Sequence, residues 1–403
     1  MTKTTHLHPA DLRGFARLAT QATAALADLV EAMHYTIVPR VGGAHTPGRT
    51  RGLTGLVYKS VRGVTRLVGG GLDTVLAQLG PTLAGRRSSP EREAVLAALN
   101  GVLGDYLVAS GNPLAISMSL RRDGRPLALE KQALATAIPQ RSGKVAVLAH
   151  GLCMNDLQWN RNGHDHGAVL ARDLGYTPVY LHYNSGLHTS VNGRTLAALL
   201  EVLLEQWPQR VEELAIVAHS MGGLVARSAC HYGAAGGHVW PRRLRRLVFL
   251  GTPHHGAPLE RGGNWVDVIL GAAPYAAPFA RLGKIRSAGI TDLRHGNVLD
   301  EHWAGHDRFA RGRDTRLSVP LPEGVQSYAM AATTGRKPGD LRDRLLGDGL
   351  VPLKSALGRH ESSRRSLRFP RSRQWIGYGM NHMDLLGRSE VSDQIVHWFD
   401  TRT

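Results

Sequence analysis

The sequence predicts an α/β architecture, in which a mostly parallel central sheet is covered by helices on both faces and led by antiparallel strands at one edge. Three observations carry this expectation. Short apolar runs such as KVAVLAHG (144–151), ELAIVAHS (213–220) and RLVFLGTPH (246–254) alternate with segments of helical period. Those runs are continuously apolar, as strands buried on both faces must be. Ahead of them, ISMSLRRDGRPLAL (116–129) holds Asp123-Gly124 between two strand-like runs, a hairpin signal.

Taken in order, Pro9-Ala10-Asp11 opens a helix that runs through Leu12, Phe15, Leu18, Ala22 and Leu26 to about Met33. A Gly-, Pro- and Arg-rich loop follows from Val38 to Arg51. In LTGLVYKSVRGVTRLV, Leu53, Leu56, Val57, Val61, Val64, Leu67 and Val68 share a helical face, with Lys59, Arg62 and Arg66 mainly opposite. Such a basic amphipathic helix either docks on a neighbouring domain or makes peripheral contact with a membrane or acyl surface. A third helix is expected from Glu91 to about Tyr106. We therefore expect an N-terminal helical region over 1–105 and an α/β domain over 106–403.

Within the α/β domain, DHGAVLARDLG (165–175) reads as a helix closed by its glycine. TPVYLHYNS (177–185) is a strand and TLAALLEVLLEQW (195–207) a strongly apolar helix. GLVARSACHYG (223–233) is helical. The alternation stops at Gly256. The segment 257–317 has no clear strand and reads as a cap or lid insertion. VQSYAMAATTG (325–335) and RQWIGYGM (373–380) supply the last strands, and EVSDQIVHWFD (390–400) the closing helix.

A hydrophobic fraction of 42% and a charged fraction of 20% belong to a globular chain. Cys153 and Cys230 are expected as buried, unlinked thiols. The net charge of +17 invites a nucleic-acid reading. The arginines are scattered, without a dense basic run or interleaved aromatics, and argue against it. No secretory signal and no run long enough to cross a membrane is evident, so a cytoplasmic protein, peripheral to a membrane at most, is expected.

The chemistry centres on VAHSMGGLVAR (217–227). Ser220 stands where a strand turns sharply into a helix, a corner that strains the backbone and projects the hydroxyl above the carboxyl edge of the sheet. The usual pattern G-x-S-x-G has Ala218 at its first position here. Close strand–helix approach demands a small residue there, not glycine as such. A serine hydroxyl needs a base, and the base an orienting carboxylate. Asp348 and His382 follow in glycine-lined turns after strand candidates. Asp340, Asp343 and Asp384, with His219, His254 and His255, are the other candidates. The oxyanion needs two backbone donors: the N–H of Met221, after the nucleophile, and that of Leu152, in the loop after the earlier strand.

LAHGL, VAHSMGGLVAR, VFLGTPHHGAP, GDGLVP and NHMDLL, in that order, resemble the serine α/β-hydrolases of the lipase and esterase kind. GTPHHGAP is especially similar to bacterial lipases and to lipase-like proteins related to GPI inositol-deacylases. The resemblance covers roughly Ala115 onward. It implies the α/β-hydrolase fold, a Ser220–Asp348–His382 triad and the Leu152 and Met221 oxyanion donors. Some bacterial lipases hold calcium with an aspartate spaced like Asp384. The second calcium aspartate has no counterpart here, so a salt bridge or cap is expected of Asp384, and neither metal nor cofactor. Related polyester synthases carry cysteine at the elbow, and serine favours hydrolysis.

The expected activity is cleavage of carboxylic esters through an acyl-enzyme, on hydrophobic acyl or lipid-like substrates. Trp265, Tyr275 and Phe279 are the candidate acyl-binding residues. A transacylase or an amidase could use the same triad. From another class, the chain could be a lipid- or polymer-surface binding protein with a vestigial hydrolase domain.

Overall fold

The computed structural model describes residues 9–37, 59, 88–257, 287–305, 316–337 and 347–400. The chain divides into two compact units, Met1–Arg92 with Leu107–Ala115, and Glu93–Tyr106 with Ile116–Thr403.

In the first unit, α1 (Pro9–Ile37) begins at its proline and runs a turn beyond the Met33 that periodicity suggested. Near its start the buried Asp11 carboxylate accepts two hydrogen bonds from Arg92, both 2.6 Å. Arg92 lies in the first turn of α2 (Pro90–Ala109). Asn112 donates to the Gly14 carbonyl at 3.1 Å, where a Cβ would stand 2.2 Å from the Leu114 side chain. Glycine is needed at that crossing. The basic amphipathic stretch 53–68 lies outside the described residues except Lys59, which is exposed.

The second unit is built on one eight-stranded sheet, in the order β2-β1-β4-β3-β5-β6-β7-β8. Its strands are β1 (Ser119–Arg122), β2 (Arg125–Pro126), β3 (Lys144–Ala149), β4 (Thr177–His182), β5 (Glu213–His219), β6 (Leu244–Leu250), β7 (Gln326–Thr333) and β8 (Gln374–Tyr378). The β1–β2 and β1–β4 pairs are antiparallel and the rest parallel. Asp123 and Gly124 both take positive φ, 51° and 72°, the tight two-residue turn that right-twisted strands require.

Among the described residues the further helices of seven residues or more are α3 (Lys131–Ala137), α4 (His166–Leu174), α5 (Thr189–Gln206), α6 (Met221–Ala235), α7 (Ala288–His295) and α8 (Ser389–Asp400). The first of these was not legible, because seven residues burying only Leu134 are too short to display a period. Asp165 caps α4 by accepting from the Ala168 N–H at 3.0 Å. Successive residues of the central strands serve opposite cores. Val145, Val147, Leu214, Ile216, Leu247 and Phe249 pack on one face, and Ala146, Leu148, Ala215, Val217, Val248 and Leu250 on the other. This two-sided burial is why the strands read as unbroken apolar runs.

Within 257–317, the described residues form α7, capped by Ser287 through the Ile290 N–H, and a short helical turn, Asp300–His302, with no strand. Trp265, Tyr275 and Phe279 lie outside the described residues. No helix among the described residues is long and apolar enough to cross a membrane.

Candidate active site

β5 ends at His219 and α6 begins at Met221, which leaves Ser220 alone at the corner. Its backbone has φ 53° and ψ −122°, a conformation that costs a side-chain-bearing residue on the order of 1–3 kcal/mol. Neighbouring backbone holds it there. The Ser220 N–H donates to the Leu250 carbonyl at 2.8 Å, and its carbonyl accepts from Gly223 at 3.0 Å. A Cβ on Gly222 would lie 2.4 Å from the Ala149 carbonyl oxygen, so the first turn of α6 rests directly on the end of β3. Ala218, on the other side of the corner, is fully buried in the core.

Asp348 sits in a turn whose flanking glycines both take positive φ. A hydrogen bond of 3.0 Å from the Thr334 N–H to the Gly347 carbonyl returns this turn to the end of β7. The carboxylate is 1% exposed and fully engaged. Oδ1 accepts the N–H groups of Leu350 and Val351 at 2.9 and 2.7 Å. Oδ2 accepts from His382 Nδ1 at 2.6 Å. Donation by Nδ1 leaves the Nε2 lone pair as the basic site of the imidazole.

His382, 2% exposed, follows β8 and stands over the exit of β6, where a Cβ on Gly251 would lie 3.0 Å from its Cε1. Gly251 is the residue after the carbonyl that holds the Ser220 N–H. His219, the residue before the nucleophile, stacks obliquely on His382 with ring centroids 4.7 Å apart and bonds to its carbonyl through Nε2 at 3.2 Å. Burial, then the nearby His382, keeps the His219 imidazole well below the ordinary range, so it donates as a neutral ring. The hydrogen-bonded Asp348–His382 pair thus stands after β7 and β8, against His219 and Gly251, which adjoin Ser220 and the carbonyl that holds its N–H.

The loop after β3 completes the rim. A Cβ on Gly151 would lie 3.1 Å from the Ser220 Cβ, which sets Leu152 immediately beyond the nucleophile. Cys153 has φ 59°, and its N–H donates to Ser185 Oγ at 3.0 Å, fixing the path of the loop. Met221 is the first residue of α6, and first-turn N–H groups have no carbonyl within their own helix.

Of the remaining candidates, those among the described residues do not join this group. Asp384 Oδ2 accepts the Asn381 N–H at 2.8 Å and caps the turn that carries His382. His255 bonds the Gly358 carbonyl at 3.0 Å, while His254 turns into a separate cavity. Asp340 and Asp343 lie outside the described residues. Burial pushes the thiols of Cys153 and Cys230 up to about 12, leaving no thiolate at neutral pH. Sequence reasoning missed the positioning bond from His219; its one signal was an imidazole adjoining the nucleophile.

Among the described residues one grouping is compact enough for a metal: Glu93, Asp156 and His182, all buried. The Arg121 guanidinium lies 2.7 Å from Glu93 and 3.3 Å from Asp156, which makes it a buried ion-pair network with its cation supplied by the chain.

A family model described as a domain of unknown function (DUF7379) matches residues 131–282. No curated protein matches the chain. Among solved structures, the chain is similar to mature lipase BlEst2 of Bacillus licheniformis, with 18% identity and a TM-score of 0.42 over 70% of this chain and 97% of that one. For lipase B of Aspergillus fumigatus the values are 10% and 0.37, over 94% and 82%. A thermophilic esterase from Thermogutta terrifontis is 14% identical with a TM-score of 0.36, over 64% and 90%.

Proposed function

We propose that this protein is a serine hydrolase of carboxylic esters, with Ser220 as nucleophile, His382 as general base and acid, and Asp348 as the orienting carboxylate. The single observation that carries the reading is the strained Ser220 corner beside an imidazole whose Nδ1 is 2.6 Å from a buried carboxylate. A fold bears that strain at a serine when the projecting hydroxyl has a use.

In the proposed reaction Ser220 Oγ attacks the ester carbonyl as His382 Nε2 takes its proton. The N–H groups of Leu152 and Met221 receive the oxyanion. Asp348 stabilises the imidazolium, which then protonates the departing alcohol. Water, deprotonated by the same imidazole, attacks the acyl-enzyme and frees the acid and the serine. Trp265, Tyr275 and Phe279 are assigned to a hydrophobic acyl site, which favours medium or long acyl chains. The basic stretch 53–68 is assigned to docking on a neighbouring domain or to contact with the acyl-bearing surface.

The test is labelling of the whole chain with a fluorophosphonate, paired with p-nitrophenyl esters of increasing acyl length. Wild type is expected to label at Ser220 and to prefer acyl chains longer than acetyl, and Ser220→Ala to lose both label and turnover. A folded wild-type protein that does not label overturns the assignment. A sharp optimum at acetate removes the acyl-site part alone.

A further inference from the structure

Arg227 stands seven residues after Ser220 on α6, about 10 Å along the helix at 1.5 Å per residue. Nothing in the ester chemistry uses it. Its side chain is deep, the residue being 5% exposed, and Nη2 donates to the Val319 carbonyl at 2.7 Å. Nε is buried and has no partner. No carboxylate among the described residues pairs with this guanidinium. Burial, then the charge of Arg316, lowers it to about 10, so it stays charged at neutral pH. A buried cation without a counter-charge is costly, and proteins keep one where an anion completes it.

The surroundings repeat the pattern. His254, in the segment leaving β6, is 2% exposed, and neither ring nitrogen has a hydrogen-bond partner. Its ring is held by Phe249 and Phe369, at centroid distances of 4.7 and 5.5 Å. His302 Nδ1 accepts the Val298 N–H at 3.2 Å, so its proton resides on Nε2, which is buried near the Leu317 carbonyl. Arg227, His254 and His302 line one cavity together with His255, Arg316 and Arg365, and no acidic residue lines it among the described residues.

We propose that this cavity binds a small oxyanion, a free phosphate or the phosphate of a monoester, through Arg227, His254 and His302. Donors converge from α6, from the exit of β6 and from the 300–302 turn, which suits a tetrahedral anion. A carboxylate offers two oxygens in one plane and would leave part of the set unused. The bound ion bridges elements distant in sequence and stabilises the folded chain by mass action.

The experiment is calorimetric titration of the full chain with inorganic phosphate, at ionic strength held constant with chloride. Saturable binding is expected, weakened about tenfold or more by Arg227→Met and by His302→Ala, since each removes a bond to a charged oxygen. His302 is only half-buried, so its variant keeps the test available if Arg227→Met does not fold. Glycerol 3-phosphate and vesicles of phosphatidic acid against phosphatidylcholine separate a free ion from a headgroup as the source. Absence of saturable binding to all of these overturns the proposal. So does binding that both substitutions leave unchanged, because the anion then sits elsewhere on the basic surface.

Discussion

Replacing Asp348 by asparagine isolates the orienting carboxylate from the rest of the site. The new side chain has nearly the same shape, and its oxygen can keep the Leu350 and Val351 N–H bonds at 2.9 and 2.7 Å. Its amide NH₂ then faces His382 Nδ1, where Oδ2 stood 2.6 Å away. Two donors cannot meet, so the imidazole must move its proton to Nε2. That is the nitrogen that has to accept from Ser220. Loss of the correct tautomer costs about 10⁴-fold in kcat, or about 5.4 kcal/mol of barrier. The fold loses one charge-assisted hydrogen bond, about 1.5–3 kcal/mol. The assay is the rate of fluorophosphonate labelling and of ester turnover, with thermal unfolding by circular dichroism as control. A folded Asp348→Asn protein that labels within tenfold of wild type, while Ser220→Ala does not label, would refute the orienting role.

Gly222→Ala sets a methyl 2.4 Å from the Ala149 carbonyl oxygen and is expected to cost about 1–3 kcal/mol or more, with loss of labelling. Ala218→Gly keeps the small size the corner needs and is expected to retain activity within a few fold, losing about 0.5–1 kcal/mol in urea unfolding. Cys153 and Cys230, their thiols pushed up to about 12, should resist iodoacetamide at pH 8 when folded and react in denaturant, as read by mass spectrometry. Stability should fall as pH drops below about 6.5. Burial lowers His150 to about 3 and His166 to about 4, so from 6.5 downward the unfolded chain takes up protons that the folded chain refuses. Each imidazole contributes up to about 1.4 kcal/mol per pH unit in that window. Urea midpoints at pH 7 and 5 measure the loss, and His166→Gln should reduce it. A midpoint unchanged between those pH values contradicts the assignment.

The sheet was legible because its central strands are buried on both faces, which writes them as unbroken apolar runs. The hairpin was legible through Asp123-Gly124, since few residue pairs accept two positive φ angles in succession. The corner at Ser220 could be read from its flanking strand and helix. The pairing of Asp348 with His382 could be anticipated from chain order, glycine-lined turns and the resemblance of GDGLVP and NHMDLL, but not from periodicity, because the contact joins residues far apart in sequence. What periodicity could not disclose was α3, where a single buried leucine among seven residues leaves no period to detect. Nor could it disclose the cavity around Arg227, because a buried arginine and a surface arginine look alike in a sequence with scattered basic residues.

The hydrogen bond from Thr334 to Gly347 fastens the turn that holds Asp348 to the last residues of a strand. The acid thus borrows its stiffness from the sheet through a single backbone donor. For an engineer, Thr334 is consequently a poor place for proline, whose missing N–H would unfasten that turn while leaving every side chain of the site unchanged.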